Sequence, residues 1–176
     1  MLVEELNIHA NNKELISVER DCHDEELTGY ILKADDNLVL MTLVDCDGIF
    51  EGFSVFKTDQ ITEVFWGNRE HQALSILSNS VPSLPPPSFE SFELEDIIIE
   101  ASQKFSSVCL HSSHDEDNFD IAEIEAHDEE WLKIYTFGVK RTLSRMKKLV
   151  KVDSISRVVI DSPYQNGIVV LHSKGL

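Results

Sequence analysis

Apolar and polar residues alternate along much of the chain with a period of two, which is the spacing of β-strands. In the first half, this pattern predicts strands at 15–19, 27–33, 38–44, 49–57 and 61–66, and a helix at 68–78. The third of these strands is apolar throughout apart from Thr42, which is typical of a strand covered on both faces. The pair Asp47-Gly48 suits a tight hairpin turn after it, and Gly52 predicts a bend or bulge in the returning strand.

The second half has the same pattern. Strands are predicted at 107–111, 119–125, 131–137, 143–152 and 155–160, with a helix at 92–104 before them and a shorter counterpart at 2–9 before the first set. The tail 163–172 fits either a strand or a buried helical turn. The sequence therefore predicts a mainly β protein with short helices.

A proline- and serine-rich segment separates the two halves and reads SNSVPSLPPPSFES. Three consecutive prolines stiffen the backbone and remove donors for strand pairing. The predicted organisation is a first domain at 1–78, a linker at 79–91 and a second domain at 92–176.

The two halves also align with each other. When the sequence is shifted by 92 residues, Ile16 aligns with Val108, and similar residues stay aligned as far as Leu40 with Leu132. From Lys57 onward the matching shift is 94 residues. This preserved order predicts an internal duplication, with two residues inserted between Leu40 and Lys57 at a hairpin tip.

The stretch GYILKADDNLVLMTLVDCDGIFEGFSVFKTDQITEV resembles half of an Sm-like barrel, over residues 15–66 and more weakly over 107–160. The resemblance implies two tandem five-stranded small barrels, Sm-like or SH3-like, whose open strand edges pair between halves or between chains. The RNA-contacting pattern of the family does not carry over. The basic residue that the family has immediately before the glycine near its last strand is missing, because Trp66 precedes Gly67. In the second half, residues 159–162 hold neither Arg nor Gly. The first loop carries Asp45 and Asp47, which would repel phosphate.

Charge narrows the possible partners. The 176 residues carry a net charge of −17, from 15 Lys and Arg against 32 Asp and Glu. Such a chain is repelled by nucleic acids and anionic lipids unless its positive charge is segregated. No apolar run is long enough to cross a bilayer, and the first residues lack the basic start of a secretory signal. Three widely spaced cysteines without a Cys-x-x-Cys motif predict free thiols and a cytoplasmic location.

Positive charge is concentrated at one place, between 140 and 151, where no acid interrupts it. This basic hairpin is the candidate partner-binding site and consists of Lys140, Arg141, Arg145, Lys147, Lys148 and Lys151. Three readings remain open: docking of nucleic acid or an acidic partner, a lysine-rich edge that prevents aggregation, and pairing with the acidic first half of the same or another copy.

A second cluster, His111, His114 and Asp115, contains residue types that bind transition metals. The matching first-half segment, 22–26, has a similar composition, so solvated acidic loops are the simpler interpretation. No nucleotide-binding loop or nucleophile motif is present, and no cofactor is expected. The sequence thus favours a non-enzymatic, acidic, intracellular binding or scaffold protein. The alternatives are RNA binding through the basic hairpin and a metal-dependent enzyme that uses His111 and His114.

Overall fold

A computed structural model of the chain describes residues 1–21 and 23–176. The chain divides into two compact units, Met1–Ser88 and Phe89–Leu176, and the division falls inside the segment predicted as a linker. Both units are built mainly from antiparallel strands with short helices, which confirms the predicted mainly β class.

The described residues of the first unit form two α-helices and five strands. Its sheet has the order β5-β1-β2-β3-β4, and a 3-10 turn, Thr58–Gln60, connects β4 to β5. Its elements are α1 (Leu2–Asn12), β1 (Leu15–Arg20), β2 (His23–Ala34), β3 (Leu38–Val44), β4 (Phe50–Lys57), β5 (Ile61–Trp66) and α2 (Arg69–Leu77).

The second unit repeats this arrangement. Its sheet has the order β10-β6-β7-β8-β9, and the 3-10 turn Val152–Ser154 occupies the equivalent place between its last two strands. Its elements are α3 (Leu94–Phe105), β6 (Val108–Ser112), β7 (Phe119–His127), β8 (Trp131–Thr136), β9 (Lys147–Lys151), β10 (Ile155–Ile160) and α4 (Pro163–Ser173).

Each unit buries its own apolar core. In the first unit, every residue of β3 is buried, and α1 closes the core by inserting Leu6 against Ile16 and Phe56. In the second unit, one cluster joins Ile121 of β7 to Ile168 of α4. Side chains that face these cores come from alternate strand positions and are mostly apolar, which is why a period of two in the sequence predicted the strands.

The strand pairing supports the duplication and corrects its alignment. Val18 pairs with Val64, and Leu110 pairs with Val158, as the offsets of 92 and 94 require. In the central strands the predicted offset is wrong by one residue, because the ladders of the two units match at 93. The matching ladder pairs are Ile31 with Met41 and Ile124 with Ile134. The two extra residues therefore lie in separate turns, one between the first two strands and one after the third.

A β-bulge occurs at the same place in both units. The ladder between β2 and β3 skips Leu32, and the ladder between β7 and β8 skips Glu125. These two residues are related by the same offset of 93. The predicted irregularity near Gly52 is also present, as a register shift between β3 and β4. A bulge bends a strand and increases its twist, so both sheets bend at the same position.

Three element predictions were wrong or incomplete. The acidic segment predicted as a solvated loop belongs to β2 from His23 onward. His23 pairs with Arg20 and Leu27 pairs with Val18, so the exposed acids between them continue the strand. The strand predicted at 143–152 begins only at Lys147, because residues 137–146 form a loop with positive φ at Gly138 and Leu143. The ambiguous tail is the helix α4, whose first turn is capped by Ser162.

Candidate functional site

The predicted basic hairpin lies at one edge of the second unit. In that unit β9 pairs only with β8, as far as the described residues extend. The six predicted partner-binding residues divide between loop and strand: Lys140, Arg141 and Arg145 lie in the β8–β9 loop, and Lys147, Lys148 and Lys151 lie on β9.

The guanidinium of Arg145 contacts residues of the second unit. Its guanidinium carbon lies 3.6 Å from the ring centroid of Tyr135 and 4.3 Å from that of Phe137. Its Nε donates to the carbonyl of Thr136 at 3.0 Å, and its Nη2 lies 2.8 Å from Glu123 Oε1. Cation–π stacking and an ion pair together anchor the loop, so Arg145 positions the hairpin rather than presenting a free charge.

Acids of β7 neutralise part of β9. Lys147 Nζ lies 2.9 Å from Glu125 Oε1, Lys133 Nζ lies 3.4 Å from Glu125 Oε2, and Lys148 Nζ lies 2.7 Å from Asp120 Oδ1. The hydrogen bonds from Lys147 and then Lys133 hold the pKa of Glu125 below its ordinary value, and Glu125 in turn raises the pKa of Lys147. A nucleic-acid phosphate would have to compete with these carboxylates for the lysines.

The remaining positive charge is exposed. Lys140, Arg141 and Lys151 are exposed and make no ion pair with any residue that the structure describes. Lys140 and Arg141 lie in the loop, whereas Lys151 lies on the edge strand itself. The free charge is therefore smaller than the sequence suggests and is divided between two places.

Apolar surface accompanies this charge on the outer face of β8 and β9. Leu149 is 68% exposed and Trp131 is 41% exposed. Trp131 lies directly opposite Lys151 in the ladder. Beside this edge is a cavity of about 390 Å³ whose lining includes Leu110 and Ile155 together with polar and charged residues of β7 and β9. An edge strand with exposed apolar groups is suited to binding another extended segment.

The candidate metal-binding residues differ in solvent exposure. His111 is buried, whereas His114 and Asp115 are exposed in the loop after β6. His111 Nδ1 lies 2.8 Å from the carbonyl oxygen of Glu116, to which it must donate, and Nε2 lies 3.5 Å from Cys109 Sγ. Within the described residues, no group of three or more His, Cys, Asp or Glu side chains has the arrangement of a metal site.

A buried polar cluster surrounds His111 and was not predicted. Arg157 Nε donates to Glu116 Oε1 at 2.6 Å, and the two side chains are only 4% and 7% exposed. Burial raises the pKa of the Cys109 thiol to about 12, and this increase outweighs the opposing effect of Arg157. The sequence did contain one indication of this cluster, which is the single arginine, Arg157, in the otherwise uncharged strand β10. A charged side chain in a buried strand requires a buried partner.

No family model, no curated protein and no solved structure matches the chain. Among the helices of the described residues, none combines the length and the apolar character needed to cross a membrane.

Proposed function

We propose that this protein is a non-enzymatic, acidic, intracellular binding or scaffold module that acts through protein–protein contacts. The observation that carries the proposal is the edge strand β9, which has one strand neighbour in its unit and exposes Leu149 beside Lys151. Such an edge offers backbone donors and acceptors to an extended partner segment, while its exposed side chains select that segment. The exposed, unpaired thiol of Cys46 supports a reducing compartment.

We further propose that each unit is a small barrel of the Sm-like or SH3-like type. Support comes from the shared strand order, from the helix before each first strand and from the 3-10 turn before each last strand. A sheet of five bent strands gains stability by curling around its own core. A barrel of this size also leaves its fourth strand available at an edge, which agrees with the proposed use of β9.

The experiment compares retention of partner proteins by the native chain and by two matched variants. Leu149→Glu places an acid on the β9 edge, and Ile49→Glu makes the same change at a residue of the first unit that is 59% exposed. We expect the native chain and Ile49→Glu to retain the same protein from an extract of the source cell, and Leu149→Glu to lose it. Retention that is unchanged in Leu149→Glu would contradict the proposal, as would retention of nucleic acid without any protein.

A further inference from the structure

The tip of the β3–β4 hairpin packs against the C-terminal end of α2 in the first unit. Asp45 Oδ1 accepts hydrogen bonds from the backbone N–H groups of Asp47 and Ile49, at 2.9 and 2.8 Å, which fixes the shape of the turn. Gly48 has a φ of +76°, and a Cβ at its position would lie only 2.7 Å from Cβ of Leu77. Residues 45–49 and α2 therefore form one continuous surface, which we call the tip–helix surface.

Apolar side chains are concentrated on the tip–helix surface. Ile49 of the hairpin is 59% exposed, and Ile76 and Leu77 of the helix are 73% and 61% exposed. Helix α2 packs on its own unit through the buried residues His71 and Leu74, so Ile76 and Leu77 lie outside this contact. Single exposed apolar residues are ordinary, but neighbouring ones mark a surface that a partner covers. The tip–helix surface is therefore a candidate docking site.

A cavity of about 250 Å³ lies next to this surface, between β2, the hairpin and α2. Its lining includes the apolar side chains of Val44 and Leu74, and no described residue of the lining is basic. The acidic residues of the lining are Glu26, Asp45, Glu51 and Glu70. A lysine or arginine side chain suits such a cavity, because its apolar stem packs on Val44 and Leu74 while its charged end meets the carboxylates.

The equivalent surface of the second unit has the opposite charge. Its β8–β9 loop meets α4 through a hydrogen bond from the backbone N–H of Lys140 to Tyr164 Oη, at 3.2 Å. Where the first tip has Asp45 and Asp47, this loop has Lys140 and Arg141 and no acid. A basic segment is therefore attracted by the surface of the first unit and repelled by its counterpart, which makes the two surfaces selective by charge.

We propose that the tip–helix surface binds a basic amphipathic segment of another protein. The apolar residues of the segment cover Ile49, Ile76 and Leu77, and one of its basic side chains enters the cavity beside Glu70. This site shares no residue with the β9 edge, so substitutions at Ile49 leave binding at β9 unchanged. Two separate sites allow the chain to bind two different partners, which is what a scaffold requires.

The probe is a fluorescently labelled model peptide, LKKLLKLLKKLLKL, which presents leucine on one helical face and lysine on the other. In low salt, we expect the native chain to bind it with a micromolar Kd in fluorescence anisotropy. Ile76→Ser should weaken binding about tenfold, because the peptide loses one central apolar contact. Leu149→Ser, the same kind of change at an exposed residue of β9, is the matched control and should leave binding unchanged.

A pair of charge substitutions tests the cavity. Glu70→Lys and Glu129→Lys change the net charge by the same amount, but only Glu70 lines this cavity, whereas Glu129 is an exposed acid of the second unit. Glu70→Lys should weaken binding about threefold more than Glu129→Lys in low salt, and this difference should diminish as salt is added.

Equal binding by the native chain and Ile76→Ser would overturn the inference. So would equal weakening by Glu70→Lys and Glu129→Lys, because the peptide would then respond only to the net charge of −17. Amide NMR of the native chain is a second measurement that needs no substitution. The peptide should shift the signals of residues 45–49 and α2, and shifts confined to other segments would also overturn the inference. A native chain that forms dimers without peptide, and loses them in Ile76→Ser, would show that the surface binds a second copy and would refute the proposed partner.

Discussion

The buried ion pair between Glu116 and Arg157 should control the stability of the second unit. Its two atoms are 2.6 Å apart, and both side chains are almost fully buried. Glu116→Gln removes the negative charge and leaves the buried guanidinium of Arg157 without this carboxylate. Breaking a buried pair by removing one partner costs about 3–5 kcal/mol. The backbone hydrogen bond from His111 to Glu116 is kept in this variant, so the change isolates the charge.

That loss is large for a unit of this size. A domain of about 90 residues has a free energy of unfolding of about 4–13 kcal/mol. We therefore expect Glu116→Gln to lower the urea midpoint of the second unit by more than about 1 M, given a slope of about 1–3 kcal/mol per molar urea. Trp131 fluorescence in a Trp66→Phe background measures this unit selectively, because the chain has two tryptophans and the other lies in the first unit.

Two further variants make this prediction specific. Glu100→Gln removes the charge from an exposed helical pair with Lys104, at 3.2 Å, and should cost only about 0.3–0.5 kcal/mol. Replacing both buried partners, as Glu116→Leu with Arg157→Met, should recover most of the lost stability, since neither charge of the pair remains buried. The reasoning is refuted if Glu116→Gln stays within about 1 kcal/mol of the native chain, or if the double replacement is no more stable than the single one.

Three other predictions concern the backbone and the thiols. Gly29→Ala should destabilise the first unit strongly in thermal unfolding, because its Cβ would lie 1.8 Å from the carbonyl oxygen of Thr42. Gly167→Ala should instead stabilise the second unit by about 1 kcal/mol, because Gly167 lies in α4 and the space around its Cβ position is open. A large loss from the second change or none from the first would contradict this. Peptide mapping after alkylation at pH 8 should find Cys46 modified and Cys109 protected, and labelling of both in the folded chain would argue against the buried thiol. Because burial raises the pKa of Cys109 to about 12, its protonated form stabilises the fold below about pH 9, and this contribution should disappear in denaturation experiments as pH rises toward 12.

Strands that are directly flanked by turn residues could be predicted to the residue. The predicted bounds of β3, β5 and β10 agree with the structure, because turn residues directly flank their apolar patterns. The start of β2 could not be predicted in this way. After His23 come three exposed acids, which have no buried apolar face and therefore no period-two signal. The ladder pairs on either side of them, His23 with Arg20 and Leu27 with Val18, place them in the strand.

The electrostatics of the candidate site depended on register, which the sequence does not reveal. The six basic residues form a compact run, but the acids that pair with them lie far away along the chain. Glu123 is 22 positions from Arg145, and Asp120 is 28 positions from Lys148. Only the β7–β8–β9 ladders bring these acids beside the lysines. The bulge at Glu125 affects this arrangement directly, since it determines which face the acid occupies. Charge counted along the chain therefore overestimated the free positive charge of the hairpin.

The bulge shared by Leu32 and Glu125 has a consequence for how the two halves can change. Side chains in a strand alternate strictly, so adding or deleting one residue within a strand exchanges its buried and exposed rows, whereas the same change in a turn does not. Both length differences between the halves lie in turns, and the bulge keeps its place. Homologous chains should therefore differ in turn length and in surface residues, whereas the single bulge residue in the second strand of each unit should be kept at the same position.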